Sequence, residues 1–143
     1  MNPAYVSESS LGTVELRIPS KAEWVAVARL AVAAVANRLQ FSIEEIEDVK
    51  LAVAEACTNC IQHAAGGQRI DITCETFPDG LTIRVRDFAL GSEGSPTGPR
   101  RLSDAHLGGG LGVFLIRSLM DSVEYEVDPE RGTNLVMTKK VSA

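Results

Sequence analysis

An α+β fold, a two-layer α/β sandwich with helices on one face of a mixed, mostly antiparallel sheet, is predicted for this 143-residue chain by three features. The elements run β-α-α-β-β-loop-α-β-β. Four of the five strands come in pairs joined by short turns, and the helices alternate apolar and polar faces. Helices that must bury one stripe and hairpins that must bury one face pack best as two layers. A chain of this length builds a core without staples, so a single domain over residues 1–143 is expected.

Each element has a local reason. GTVELRI, residues 12–18, alternates apolar and polar as a half-buried strand does. Pro19 ends it; Ser20, with Glu23 three residues on, reads as a capping box opening a helix from Lys21 to about Leu39. Ser42 and Glu45 repeat that pattern, and Glu44, Glu45 and Glu47 suit the positive end of a second helix running to about Ala64. RIDITCETF and LTIRVRD flank the turn Pro78-Asp79-Gly80 and read as a hairpin. A loop rich in Gly, Ser and Pro covers roughly residues 89–106. GGGLG then opens a third helix, Val113 to Met120, and Val123–Val127 and Asn134–Val141 form the last two strands.

Composition narrows the function. A net charge of −5 leaves no basic footprint for nucleic acid, and no Lys/Arg-rich run suggests an anionic membrane. The longest apolar stretch, Val25 to Ala36, contains Arg29 and is too short to span a bilayer. MNPAYVSESS has neither a charged start nor an apolar stretch, so no signal peptide is expected. Three cysteines fit a reducing compartment better than a disulfide framework, and a cytoplasmic location is expected.

The segment EACTNCIQHA, Glu55 to Ala64, admits two chemistries. Cys57-x-x-Cys60 with His63 suggests zinc or redox work. On a helix, however, Cys57 and His63 lie roughly 9 Å apart along the axis, too far for ligands held about 2.0–2.3 Å from one ion. A redox CxxC belongs at a helix start, and this one lies towards the C-terminal half. Buried filler is the plainer reading of the thiols. The other pattern pairs Glu55 with Asn59 one turn on, where a carboxylate and an amide oxygen can converge on a hydrated cation. Ile43, Ile46, Val49, Val53, Ala56 and Cys60 form the core stripe, while Asp48, Glu55, Asn59 and Gln62 share another face. A plain solvated face remains the alternative.

Three further signals need each other. Leu81, Ile83, Val85 and Asp87 point to one face of their strand, so a core row ends in a carboxylate. A buried carboxylate requires a partner, either a structural one or the amino group of a purine. Gly108-Gly109-Gly110-Leu111-Gly112 precedes a helix, where bare N–H groups can meet phosphate oxygens, although a flexible connector looks the same. Thr133, Leu135 and Met137 share a face, so a hydroxyl also ends a core row. Apolar walls with a few polar groups at one end describe a pocket for a planar ligand.

Together, EACTN-x-x-x-HA, VRD, GGGLG and GT resemble the N, G1, G2 and G3 boxes of the Bergerat ATP-binding fold, the GHKL ATPase/kinase superfamily. IEEIEDVKLAVAEACTNCIQHA and GGGLGVFLIRSLMD look closer still to anti-sigma factor serine/threonine kinases of the RsbW type, and the likeness covers nearly the whole chain. The resemblance implies a kinase that binds ATP and Mg2+, phosphorylates a serine or threonine of an anti-sigma factor antagonist, sequesters a sigma factor and forms a homodimer. It implies Glu55 as general base and Asn59 as magnesium ligand, with His63 near the nucleotide. Asp87 would accept from the adenine amino group, with Thr133 assisting through water. Ala89 and Gly91 belong to the G1 box; Gly108, Gly109, Gly110, Leu111 and Gly112 would line the phosphates. Arg29 would face protein partners. Residues 92–107 would form an ATP lid, in which Arg100 and Arg101 either reach a γ-phosphate or stay a solvated pair.

One departure stands out. Ala89 replaces the first glycine of the G1 box, a change costing about 1 kcal/mol if the position needs positive φ. That favours the alternative reading, a non-catalytic partner-switching module with the same fold. Glu55 and Asn59, intact in type and spacing, favour the kinase. Thiol sensing through Cys57 and Cys60 is a third, minor reading.

Overall fold

Alternating burial along the central strands sets the architecture. The computed structural model describes residues 10–63, 68–88, 110–128 and 132–142. Within them lie β1 (Gly12–Pro19), a 3-10 turn (Ala22–Trp24), α1 (Val25–Ala36), α2 (Ile43–His63), β2 (Arg69–Phe77) and β3 (Gly80–Asp87). Then follow α3 (Gly110–Leu119), β4 (Ser122–Asp128) and β5 (Gly132–Lys140). The strands form one sheet in the order β1-β2-β3-β5-β4. The sequence reading allowed a parallel pair, but every pairing among the described strands is antiparallel.

One face of the sheet carries the core. Ile18, Ile70, Ile72, Leu81, Ile83, Val85, Leu135 and Met137 are all buried there. Each side chain of this size stabilises by about 1.5–3 kcal/mol when taken out of water. Above them, α2 packs against both α1 and α3. Its Val49, Ala52, Val53, Ala56 and Cys57 are essentially inaccessible. The small residues let α2 lie close to its neighbours, as dense interior packing requires.

The ends of the elements show which signals count. Ser42 and Glu45 form the expected capping box: the Ser42 N–H donates to Glu45 Oε1 at 2.8 Å and the Glu45 N–H donates to Ser42 Oγ at 3.1 Å. Close by, Lys139 Nζ donates to the Leu119 carbonyl at 2.6 Å and reaches Asp48, on the same end of α2, at 3.5 Å. A cation there satisfies an orphan carbonyl of α3 and suits its negative end.

Four local expectations need correction. Ser20 and Glu23 form no cap; the Ser20 N–H bonds the Gln68 carbonyl at 3.2 Å, and Lys21 heads a 3-10 turn with no side-chain cap. The first helix ends at Ala36, after which Arg38 and Leu39 turn back through tight bonds to Val35 and Ala36. Ile43, assigned to the core stripe, is 79% exposed because the first turn of α2 is not covered. The third helix starts at Gly110, earlier than Val113, so the end of the glycine run expected to precede the helix makes its first turn.

Candidate functional site

Helix α2 projects Glu55 and Asn59 from successive turns towards the start of α3. Gly112 makes this approach possible. A Cβ at Gly112 would lie 3.2 Å from Glu55 Oε1 and 3.5 and 3.6 Å from the Asn59 Oδ1 and Nδ2 atoms. A side chain there would press on Glu55 and fill the space up to contact with Asn59. Beside this junction opens a groove of about 540 Å³ lined by Glu55, Thr58, Asn59, Gln62, Gly112, Phe114 and Leu115. Asn59 is only 8% exposed, and its Nδ2 has no hydrogen-bond partner within the protein. Leaving such a donor unmade costs about 1–3 kcal/mol, which an incoming acceptor removes. With the amide reversed, the orphan is an oxygen suited to a cation. A phosphate–metal pair therefore fits the donor set, and the N-terminus of α3 adds a field favourable to anions.

The second half of the site closes the inward rows of β3 and β5. Asp87, 1% exposed, accepts from the Thr133 N–H at Oδ1 (3.1 Å) and from the Thr133 hydroxyl at Oδ2 (2.5 Å). Thr133 thus supports the carboxylate directly, where the resemblance implied water between them. Both bonds involve a charged acceptor and are stronger than neutral ones. Gly132 enters β5 at φ 100°, a left-handed conformation that glycine adopts without a steric penalty, and this aims Thr133 at Asp87. On the opposite face, the Phe88 ring lies beneath the guanidinium groups of Arg69 (4.4 Å) and Arg86 (5.0 Å), which fixes the chain as it leaves β3.

Cys60 follows Asn59 on α2 and is 5% exposed. Burial first, then the Asp87 charge, pushes this thiol well above its ordinary value. Burial alone raises Cys57 to about 12 and Cys74 to about 11. Tyr125, on the inward side of β4, rises to about 12 through burial first and then Cys60 and Asp87. Protonated, buried thiols are poor nucleophiles and poor metal ligands. All three cysteines are free, and among the described residues no cluster of three His, Cys, Asp or Glu is arranged to hold a metal.

The structure therefore brings Glu55, Asn59 and Gly112 together and, as a separate grouping, Asp87 with Thr133, which are not among the residues lining the groove. Gly110 and Leu111 lie in the first turn of α3, and His63 is the last residue of α2. Ala89, Gly91, Gly108 and Gly109, with Arg100 and Arg101 of the expected lid, lie outside the described residues. Arg29 is exposed on α1, away from the groove lining, on a helix that also exposes Val27 and Leu30. Sequence reasoning missed Thr58, Phe114 and Leu115 as lining residues. The periodicity that flagged Gln62 also reaches Thr58; nothing in the pattern of α3 singled out Phe114, 69% exposed.

Comparison with known proteins agrees with this geometry. Residues 18–139 match the family described as histidine kinase-like ATPase domain. Serine-protein kinase RsbW of Bacillus cereus (strain Q1) is 41% identical over 137 residues, covering 90% of this chain and 84% of that protein. The protein of the same name from Halalkalibacterium halodurans is 40% identical over 136 residues, covering 89% of this chain and 82% of its own length. That of Bacillus mycoides (strain KBAB4) is 39% identical over 137 residues, with 90% and 84% covered. No described helix is long and apolar enough to cross a membrane.

Proposed function

Because the chain belongs to the histidine kinase-like ATPase family and, within it, to the serine-protein kinases of the RsbW type, we propose that it transfers the γ-phosphoryl group of Mg-ATP to a protein serine or threonine. In this reading the acceptor is an anti-sigma factor antagonist, whose phosphorylation releases it and leaves this protein free to sequester a sigma factor, and the working unit is a homodimer. The observation that supports it most is the convergence of Glu55, the unpartnered amide of Asn59 and the bare backbone of Gly112 on one groove.

The roles follow from the chemistry of each group. Asp87 retains an acceptor site beyond its bonds to Thr133 and reads the adenine amino group. The backbone at Gly110 and Gly112, opening α3, faces the phosphates; Gly108 and Gly109 belong to the same run. Asn59 would hold magnesium, which supplies charge neutralisation on the phosphate oxygens. Glu55 takes the proton of the acceptor hydroxyl as its oxygen bonds the γ-phosphorus and ADP departs. Positioning and charge stabilisation carry most of such a transfer. Arg29 and the exposed apolar side chains of α1 are the proposed contact with protein partners.

Incubation with labelled ATP and candidate antagonists tests the assignment. Glu55→Ala is expected to lower transfer by about two to four orders of magnitude while ATP binding persists. Bound ATP without transfer to any antagonist, by the unaltered protein, would instead identify a regulator acting by contact alone, the outcome that Ala89 favours.

A further inference from the structure

Phe114, just beyond Gly112 on α3, leaves 69% of its surface in water although the helix has a buried side. Ile116 and Met120 occupy that side and belong to the core, while Phe114 falls on a different face and is not part of it. Exposed apolar side chains are ordinary when scattered singly. This one is set apart by its place, because it lines the groove that holds Glu55 and Asn59. The two walls of that groove differ. Helix α2 supplies Glu55, Thr58, Asn59 and Gln62, all polar, whereas α3 supplies bare backbone at Gly112 and the apolar side chains of Phe114 and Leu115. Asp87 and Thr133, read as the base-holding pair, do not line it, so a purine held there is not what the ring faces.

We propose that Phe114 is a specificity-determining residue for the protein acceptor: an extended segment lies in the groove, its hydroxyl at Glu55 and a neighbouring apolar side chain seated on Phe114 and Leu115. The role rests on the reading of the chain as a protein kinase acting through Glu55. Given that reading, the hydroxyl must come to Glu55, and Glu55 lines this groove, so the segment that delivers it enters between the two walls. Successive side chains of an extended chain point to opposite sides. With the acceptor residue turned to Glu55 on α2, the residues immediately before and after it turn to α3, where the ring stands. Thr58 and Gln62 each carry both a donor and an acceptor, which suits the amides of such a segment. Exposed aromatic rings that a partner covers are the anchors that carry most of an interface's affinity. The expected acceptor is therefore a serine or threonine with an apolar residue directly next to it.

Steady-state transfer from labelled ATP to an antagonist protein that the unaltered full chain phosphorylates provides the test, with kcat and KM determined for both substrates. Phe114→Ala and Phe114→Gln are expected to raise KM for the antagonist about tenfold and to leave kcat and the KM for ATP within about twofold. Phe114→Leu, still apolar, should hold the antagonist KM within about threefold. Ile43→Ala, which removes another exposed side chain at the far end of α2, should change none of these values. Replacing the apolar neighbour of the acceptor residue with alanine should also raise KM about tenfold, and combining it with Phe114→Ala should add little, since both changes remove one contact. An unaltered antagonist KM in Phe114→Ala, polar residues on both sides of the acceptor, or fully additive losses would each overturn the docking role. A rise in the KM for ATP of the same size would give the ring to the nucleotide and overturn it too. Removal of so exposed a ring leaves the fold intact, and Phe114→Gln supplies the same comparison at fuller volume. If the unaltered protein binds ATP yet phosphorylates no antagonist, the transfer reading itself fails and the inference falls with it.

Discussion

Gly112→Ala should raise stability slightly while lowering phosphoryl transfer, and the opposite signs make it a demanding test. Gly112 is the third residue of α3 and has no positive φ, so alanine fits its backbone. Helix propensity alone favours alanine by about 0.8–1 kcal/mol. Against this, the new methyl carbon lies 3.2 Å from Glu55 Oε1, closer than ordinary contact. The end of a flexible side chain can retreat by a few tenths of an ångström, so the net stability change lies between about 0 and +1 kcal/mol, a rise in Tm of up to about 3 °C. The retreat is costly for chemistry, because Glu55 moves away from the acceptor hydroxyl, while Asn59, 3.5 Å from the same methyl, stays in ordinary contact. Misplacement by about 1 Å lowers such a transfer by about a hundredfold, so a retreat of a few tenths is expected to lower it by a smaller factor, on the order of tenfold. Thermal unfolding and single-turnover transfer from labelled ATP give both numbers. A folded Gly112→Ala protein with unaltered transfer would refute the placement of Glu55 and Asn59 at the phosphates.

Other outcomes follow from single contacts. Thr133→Val removes the hydroxyl bond to Asp87 but keeps the backbone one, and should cost about 1.5–3 kcal/mol in urea unfolding, since the acceptor is charged and 1% exposed. Glu45 is held below its ordinary 4.5, first by the Ser42 N–H, opposed by burial and helped by Ser142. A depressed folded value means that its contribution is present above about pH 4.5 and lost as pH falls through the folded value. The stability difference between the unaltered protein and Glu45→Gln should therefore be greatest near neutrality and close in the acid limb; a constant difference would count against the capping box as its source.

Periodicity made the fold legible because strands and helices here bury one face each. β2 and β3 run as the alternation implied, and Asp87 and Thr133 emerged as polar ends of apolar rows. What periodicity cannot say is where the covering layer begins. Ile43 fits the α2 stripe yet is 79% exposed at the first turn. Two identical capping patterns also had different fates. Ser42 and Glu45 cap α2, whereas Ser20 is claimed by the Gln68 carbonyl across the end of β2. A tertiary bond overrode the local one. The glycine run was read as opening the third helix, and the helix starts within it, at Gly110, where the bare backbone at Gly112 allows a close approach to Glu55 and Asn59.

The candidate site was legible in its polar groups and illegible in its junction. Glu55 and Asn59 follow from helical spacing, and their partner Gly112 from a glycine run before a helix. Cys60 was read as core, which its burial supports. The approach of Gly112 to Glu55 and Asn59 depends on the angle between α2 and α3, and no local pattern encodes that angle.

Calorimetric titration of ATP, with and without magnesium, into the unaltered protein, Asp87→Asn and Asn59→Ala tests the central claim most directly. One nucleotide per chain should bind the unaltered protein, Asp87→Asn should abolish binding under both conditions, and Asn59→Ala should remove only the gain due to magnesium. No heat from the unaltered protein, or binding indifferent to both substitutions, would contradict a single site built from α2, β3, α3 and β5.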